Sequence, residues 1–192
     1  MSARSDNARG IEGISVEEFL FYLAFSIYFF LSGFQRTEYF SEVSNVVESL
    51  KILLQISIIG LLLLKGVIQK VRVERWVIAL LLTAVGFLTW KFSGTAWLFW
   101  AVIFVVFGYG IDIQKLSYVV FGSALVLLLI TVGGSVMGVI NNTVFVRGGV
   151  LRYGMGFIHP NFLGLFCSVL CASFSVAKFG KPLYLDYLLL FI

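Results

Sequence analysis

Long apolar runs separated by short polar breaks organise this chain. A helix needs roughly 20 mostly apolar residues to cross a hydrocarbon core of about 30 Å. Runs of near that length fall at 16–34, 46–68, 76–90, 96–111, 116–140 and 161–177. The third and fourth are short and joined by a tight polar break at 91–95, which predicts a helical hairpin. After Lys178 to Pro182 another apolar run, 183–192, begins and stops after ten residues. Ten helical residues rise only about 15 Å. The pattern therefore predicts an all-α, polytopic transmembrane bundle, 16–192, with six spans and the start of a seventh. A chain ending inside that helix is expected to be a fragment or a truncated product.

Composition narrows the class further. Hydrophobic residues make up 60% of the chain and charged residues 12%. A soluble domain keeps roughly a quarter of its residues charged, so this chain cannot cover a water-facing surface. The net charge of +4 is spread over the breaks between apolar runs and forms no basic patch interleaved with aromatics. It gives no ground for a nucleic-acid partner; membrane lipids are the expected surroundings. Residues 1–15 are polar and mixed in charge, with Glu17 and Glu18 at the start of the first run. That is a retained anchor rather than a cleaved signal peptide.

Lysine and arginine set the orientation, because cytoplasmic loops carry them in excess. With residues 1–15 as a cytoplasmic tail, nine fall inside: Arg4, Arg9, Lys65, Lys70, Arg72, Arg75, Lys115, Lys178 and Lys181. Five fall outside: Arg36, Lys51, Lys91, Arg147 and Arg152. The expected location is a plasma membrane, crossed several times.

Smaller features carry structural readings. Trp76, Trp90, Trp97 and Trp100 sit near span ends, as an interfacial belt requires. Cys167 and Cys171 are one helical turn apart and read as small apolar residues at a helix interface, neither a disulfide nor a metal pair. Gly134 and Gly138 have the spacing that lets a second helix approach closely.

The break at 141–161 differs from the others. It is long, it lies outside by the orientation above, and it reads NNTVFVRGGVLRYGMGFIHPN. Most connections in compact proteins are much shorter. It holds Arg147, Arg152 and the single histidine, His159, among Gly148, Gly149, Gly154 and Gly156. Arginine presents a planar fork suited to phosphate oxygens, and glycine permits close backbone approach. Pro160 suits the first turn of the sixth span, placing His159 at the cap. The free backbone N–H groups of that turn would then face an anion. Against this stand plainer readings: solvated loop arginines, pairing with lipid headgroups, and a histidine that only caps a helix.

The string from Arg152 through Gly154, Gly156, His159 and Pro160 to Asn161 resembles, with one residue more between Arg152 and Gly156, the R-x-x-G-x-x-HPN region of bacterial polysaccharide polymerases, relatives of the O-antigen polymerase and ligase group of exopolysaccharide and capsule clusters. The resemblance rests on about ten residues and on hydropathy along the chain. It implies a multi-pass glycosyltransferase that polymerises lipid-linked repeat units on undecaprenyl diphosphate outside the membrane. No cofactor and no metal are implied. The partners implied are a lipid-linked oligosaccharide and other polysaccharide-assembly proteins. Carried over by matching residues, Arg152, with Arg147 less securely, would hold the leaving diphosphate. Gly154, Gly156, Pro160 and Asn161 would shape the site, and His159 is the candidate catalytic group, with Glu38 and Glu42 as other outward-facing bases. Relatives also carry a second external loop that this chain lacks, which leaves its activity on its own open. The competing class is a transporter or flippase-like component for a lipid-linked or anionic substrate. Ionisable residues buried in the spans would mark it, and the spans offer few.

Overall fold

The computed structural model describes residues 13–42, 44–69 and 72–178, the side chains of 41–48 excepted. The seventh apolar run and most of the N-terminal tail lie outside the described residues. Among those described there are seven helices: α1 (Val16–Phe34), α2 (Glu38–Glu42), α3 (Ser44–Ile68), α4 (Val73–Ser93), α5 (Trp97–Phe107), α6 (Ile113–Val136) and α7 (Pro160–Ala177). Two strands, β1 (Val144–Arg147) and β2 (Val150–Tyr153), form an antiparallel hairpin between α6 and α7. The fold is an all-α bundle with this one small sheet.

Local chemistry sets several helix ends. Ser15 and Glu18 form a reciprocal cap at the start of α1: the Glu18 amide donates to Ser15 Oγ at 3.2 Å, and the Ser15 amide to Glu18 Oε2 at 2.9 Å. Asp112 caps α6 by accepting from the Gln114 and Lys115 amides. Gly94, at φ 70°, closes α4 in the left-handed region, where glycine has no Cβ penalty.

Five helices, α1, α3, α4, α6 and α7, are long and apolar enough to cross a membrane. The fourth expected span is an eleven-residue helix, α5. At 1.5 Å per residue it rises about 16 Å, half a hydrocarbon core. Only 6% of the most apolar window of α4 is buried. Val77, Leu80, Leu81, Val85 and Leu88 all stand in the open. A helix apolar on nearly every side and uncovered by protein needs lipid around it. The protein is membrane-embedded.

The chain divides into two compact units, one drawn from Met1–Phe25 and Ser57–Ile111, the other from Ser26–Ile56 and Asp112–Ile192. In the first, α4 and α5 form the expected hairpin. Gly86 lets the helices close, since a Cβ there would stand 3.3 Å from the Phe99 Cα. Phe99 packs on Trp90, and Trp76 on Phe107. Trp100 is buried against Phe99 and Phe104, so it belongs to the interior and not to an interfacial belt.

In the second unit, Leu127 of α6, Phe166 of α7 and Phe157 of the connecting loop make the core, with Phe29, Phe30 and Phe34 around it. Two expectations change here. Gly134 receives the phenol of Tyr39 from the short helix α2, where a Cβ would collide with the hydroxyl, and no long helix closes on it there. Gly138 lies beyond the end of α6 at φ 73°, so the two glycines are not a helix-packing pair. Among the described residues, Cys167 and Cys171 are exposed and free and do not lie at a helix interface.

Candidate functional site

The break at 141–161 is folded, not a bare loop. Val144 pairs with Tyr153, Phe145 with Arg152, Val146 with Leu151 and Arg147 with Val150. Gly148 and Gly149 turn the chain, with φ of 58° and 76°. Positive φ at both central residues is the requirement of a two-residue turn that matches strand twist.

Side chains alternate across a strand, and cross-strand partners share a face. Phe145, Arg147, Val150 and Arg152 therefore lie on one face of the hairpin. Arg147 and Arg152 are diagonal neighbours there, roughly 7–8 Å apart for that relationship. The Phe145 ring meets the His159 ring at 4.7 Å between centroids, which turns this face toward the start of α7. Both arginines are exposed.

The return from β2 to α7 is fixed by backbone contacts. The Gly154 amide donates to the Thr143 carbonyl at 2.8 Å, and the Met155 amide to Asn142 Oδ1 at 2.9 Å. A Cβ on Gly154 would run into the Phe157 carbonyl. Gly156 stands at φ 84°, and a Cβ there would lie 2.6 Å from the Thr131 carbonyl. Both glycines are needed for the path of the chain.

His159 is the N-cap of α7, with Pro160 following in the first turn. Its Nδ1 accepts from the Asn161 amide at 3.1 Å. The neutral ring then carries its proton on Nε2 and offers a donor there. His159 takes the cap position expected of it, and one expectation changes. The Nδ1 lone pair is used by the cap, which leaves the Nε2 side of the ring to meet a ligand. The first-turn amides are not free either. Pro160 has none, Asn161 donates to His159 Nδ1, and Phe162 donates to the His159 carbonyl at 3.0 Å. Anion binding at this end must come from side chains.

The segment between α1 and α2 joins the loop. Thr37 bridges to Phe157, the Glu38 amide donates to the Gly156 carbonyl at 2.8 Å, and the Ile158 amide to the Arg36 carbonyl at 3.0 Å. The Thr143 hydroxyl donates to Glu38 Oε1. The Arg36 guanidinium lies 4.8 Å over the Phe162 ring, in the first turn of α7. Segment 35–39 and segment 141–159 fall on the same side only if α5 counts as a crossing, as in the six expected spans; their contact requires that count and not one of the five long helices alone. Arg36 is thus a third cation beside the loop. The sequence counted it among the outer charges, but nothing near it in the chain points to α7. Of the candidate bases, Glu38 is placed in this cluster; Glu42 closes α2, and its side chain lies outside the described residues.

A different ionisable group lies in the other unit. Lys65, on α3, is only 1% exposed. Its ammonium donates to the Phe107 carbonyl at 2.7 Å, the Gln69 side-chain oxygen at 3.0 Å and the Tyr109 carbonyl at 3.1 Å. These include carbonyls at the C-terminal end of α5, where the helix dipole favours a cation. Among the described residues no three His, Cys, Asp or Glu side chains group as a metal set. Comparison with family models, curated proteins and solved structures finds no match to this chain.

Proposed function

We propose that this chain is part of a membrane glycosyltransferase that polymerises undecaprenyl-diphosphate-linked oligosaccharide units into extracellular polysaccharide. The carrying observation is the placement of Arg152 and Arg147 on the hairpin face that Phe145 turns toward His159. In such a transfer an acceptor hydroxyl attacks the anomeric carbon, and the sugar–oxygen bond to the diphosphate breaks. The diphosphate leaves with the electron pair, and the hydroxyl proton goes to a base. Stabilising the charge that develops on the leaving group is the larger demand. Arg152, Arg147 and Arg36 supply fixed positive charge, and His159 Nε2–H a further donor. Glu38 stands in the same cluster as a carboxylate able to accept a proton. Exposed arginines at a membrane surface suit a headgroup that stays in the bilayer while its diphosphate is held.

The test is Arg152→Ala in the intact protein. Long-chain polysaccharide should disappear while single lipid-linked units remain. Unchanged chain lengths with a correctly inserted variant would overturn the reading.

Lys65 supports a second reading, a transporter or flippase-like component for a lipid-linked or anionic substrate. A buried ionisable residue within a span is the usual mark of a transport path. Three oxygens already satisfy its ammonium, however, so it is better placed to hold α5 than to receive cargo.

A further inference from the structure

The hairpin has a second face that the site does not use. Val144, Val146, Leu151 and Tyr153 lie opposite the arginine face, by the alternation of the strands and the register of their pairing. All four are large and apolar or aromatic, and they are 45–70% exposed. Phe145 pins the arginine face toward His159, so the apolar face must turn away from the start of α7.

We propose that this face lies in the interfacial layer of the bilayer, so that the hairpin is an anchored flap and not a free loop. What covers it is phospholipid, for three reasons. The hairpin is tied at both ends to helices able to cross a membrane, α6 and α7, and so emerges at the membrane surface. Exposed apolar residues stand on both sides of the link from α6: Val136, Met137 and Val139 before it, Val144 and Val146 after it, with the uncharged Asn141-Asn142-Thr143 between. The side chains at its margins also fit the layer. Tyr153 is a residue type that collects where acyl chains meet headgroups, and arginines suit phosphates at the same depth. With the apolar face held in lipid, Arg147 and Arg152 are presented at headgroup level, on the side turned to His159. The inference needs only that α6 and α7 cross the membrane and stands whether or not the polymerase reading does.

Spin-label accessibility tests it. Cys167 and Cys171 are first replaced by alanine in the full chain, reconstituted in vesicles of phosphatidylethanolamine and phosphatidylglycerol. Single cysteines are then introduced as Val144→Cys, Val146→Cys, Leu151→Cys or Tyr153→Cys, with Arg147→Cys and Val150→Cys for the other face. Labels on the first four should collide with oxygen several-fold more than with a water-soluble nickel chelate; labels at 147 and 150 should show the reverse. Equal access to the nickel reagent on both faces would overturn the proposal, as would shielding of the first four from both reagents, which marks a protein partner or a second copy. Single-site labels perturb one position each, so the alternation itself, read across six positions, reports whether the hairpin is intact.

Discussion

Phe145 and His159 stack obliquely, ring centroids 4.7 Å apart and planes at 50°. This contact decides which way the hairpin faces. Phe145 is the cross-strand partner of Arg152, so the ring that rests on the helix cap also carries the arginine to it. The histidine does two things at once: its Nδ1 caps α7, and its ring is the seat for Phe145.

Those two duties separate by substitution. Asparagine is among the best N-cap residues, and alanine among the poorest. His159→Ala should cost about 1 kcal/mol of stability through the lost cap. His159→Asn should keep most of that stability yet lose polymer formation, because it lacks the ring and its Nε2 donor. Thermal unfolding in detergent, run beside a chain-length assay, checks both.

Gly156→Ala should destabilise clearly. The residue stands at φ 84°, and the added Cβ would meet the Thr131 carbonyl at 2.6 Å. Forcing an L side chain into left-handed backbone alone costs roughly 1–2 kcal/mol. Gly164→Ala, on α7 with open space around its Cβ position, is the control and should be neutral or mildly stabilising. Unfolding temperatures of the two variants decide.

Thr131 offers the opposite sign. Its hydroxyl is buried and has no hydrogen-bond partner among the described residues. A buried polar group left unpaired costs on the order of 1–3 kcal/mol. Thr131→Val keeps the shape and removes that cost, so it should raise the unfolding temperature. A fall would mean that the hydroxyl has a role in the folded protein.

Lys65→Met should weaken the packing of α5 by removing the donor to the Phe107 and Tyr109 carbonyls, at a cost of about 1–3 kcal/mol. The polymerase reading expects this variant, once inserted, to make chains of normal length. Loss of substrate movement with stability intact would favour the transport reading instead. Limited proteolysis of the α5–α6 connection, together with the chain-length assay, separates the two.

The sequence made the spans legible because apolar length is a local property. Each of the six expected segments contains a helix, and the hairpin of α4 and α5 follows from the brevity of the break between them. Trp100, Gly134 and Cys167 show where local reading stops. Whether a tryptophan at a span end is interfacial, or which side chain a glycine receives, depends on neighbours distant in the chain.

The site was legible as composition but not as geometry. Arg147, Arg152 and His159 stand out by residue type. Their common arrangement depends on a hairpin whose signal, Gly148-Gly149 between VFVR and VLRY, is present in the sequence. Arg36 and Glu38 have no such signal, because they reach the loop through backbone bonds to Gly156 and Ile158, more than a hundred residues away. The cap position of His159 was legible from Pro160, but its bond from the Asn161 amide was not. Histidine at that position permits the bond, but only the ring's rotation makes it.

The bareness of α4 has a further consequence. Most of its side chains answer to a solvent and not to neighbours, so at those positions only greasiness is specified. Leucine, isoleucine, valine and phenylalanine should be interchangeable there, while Gly86, which fits against Phe99, should not. A library of random apolar letters along α4 would thus be tolerated at most places, but not where the helix touches its own protein, at Trp76, Ala79, Gly86 and Trp90.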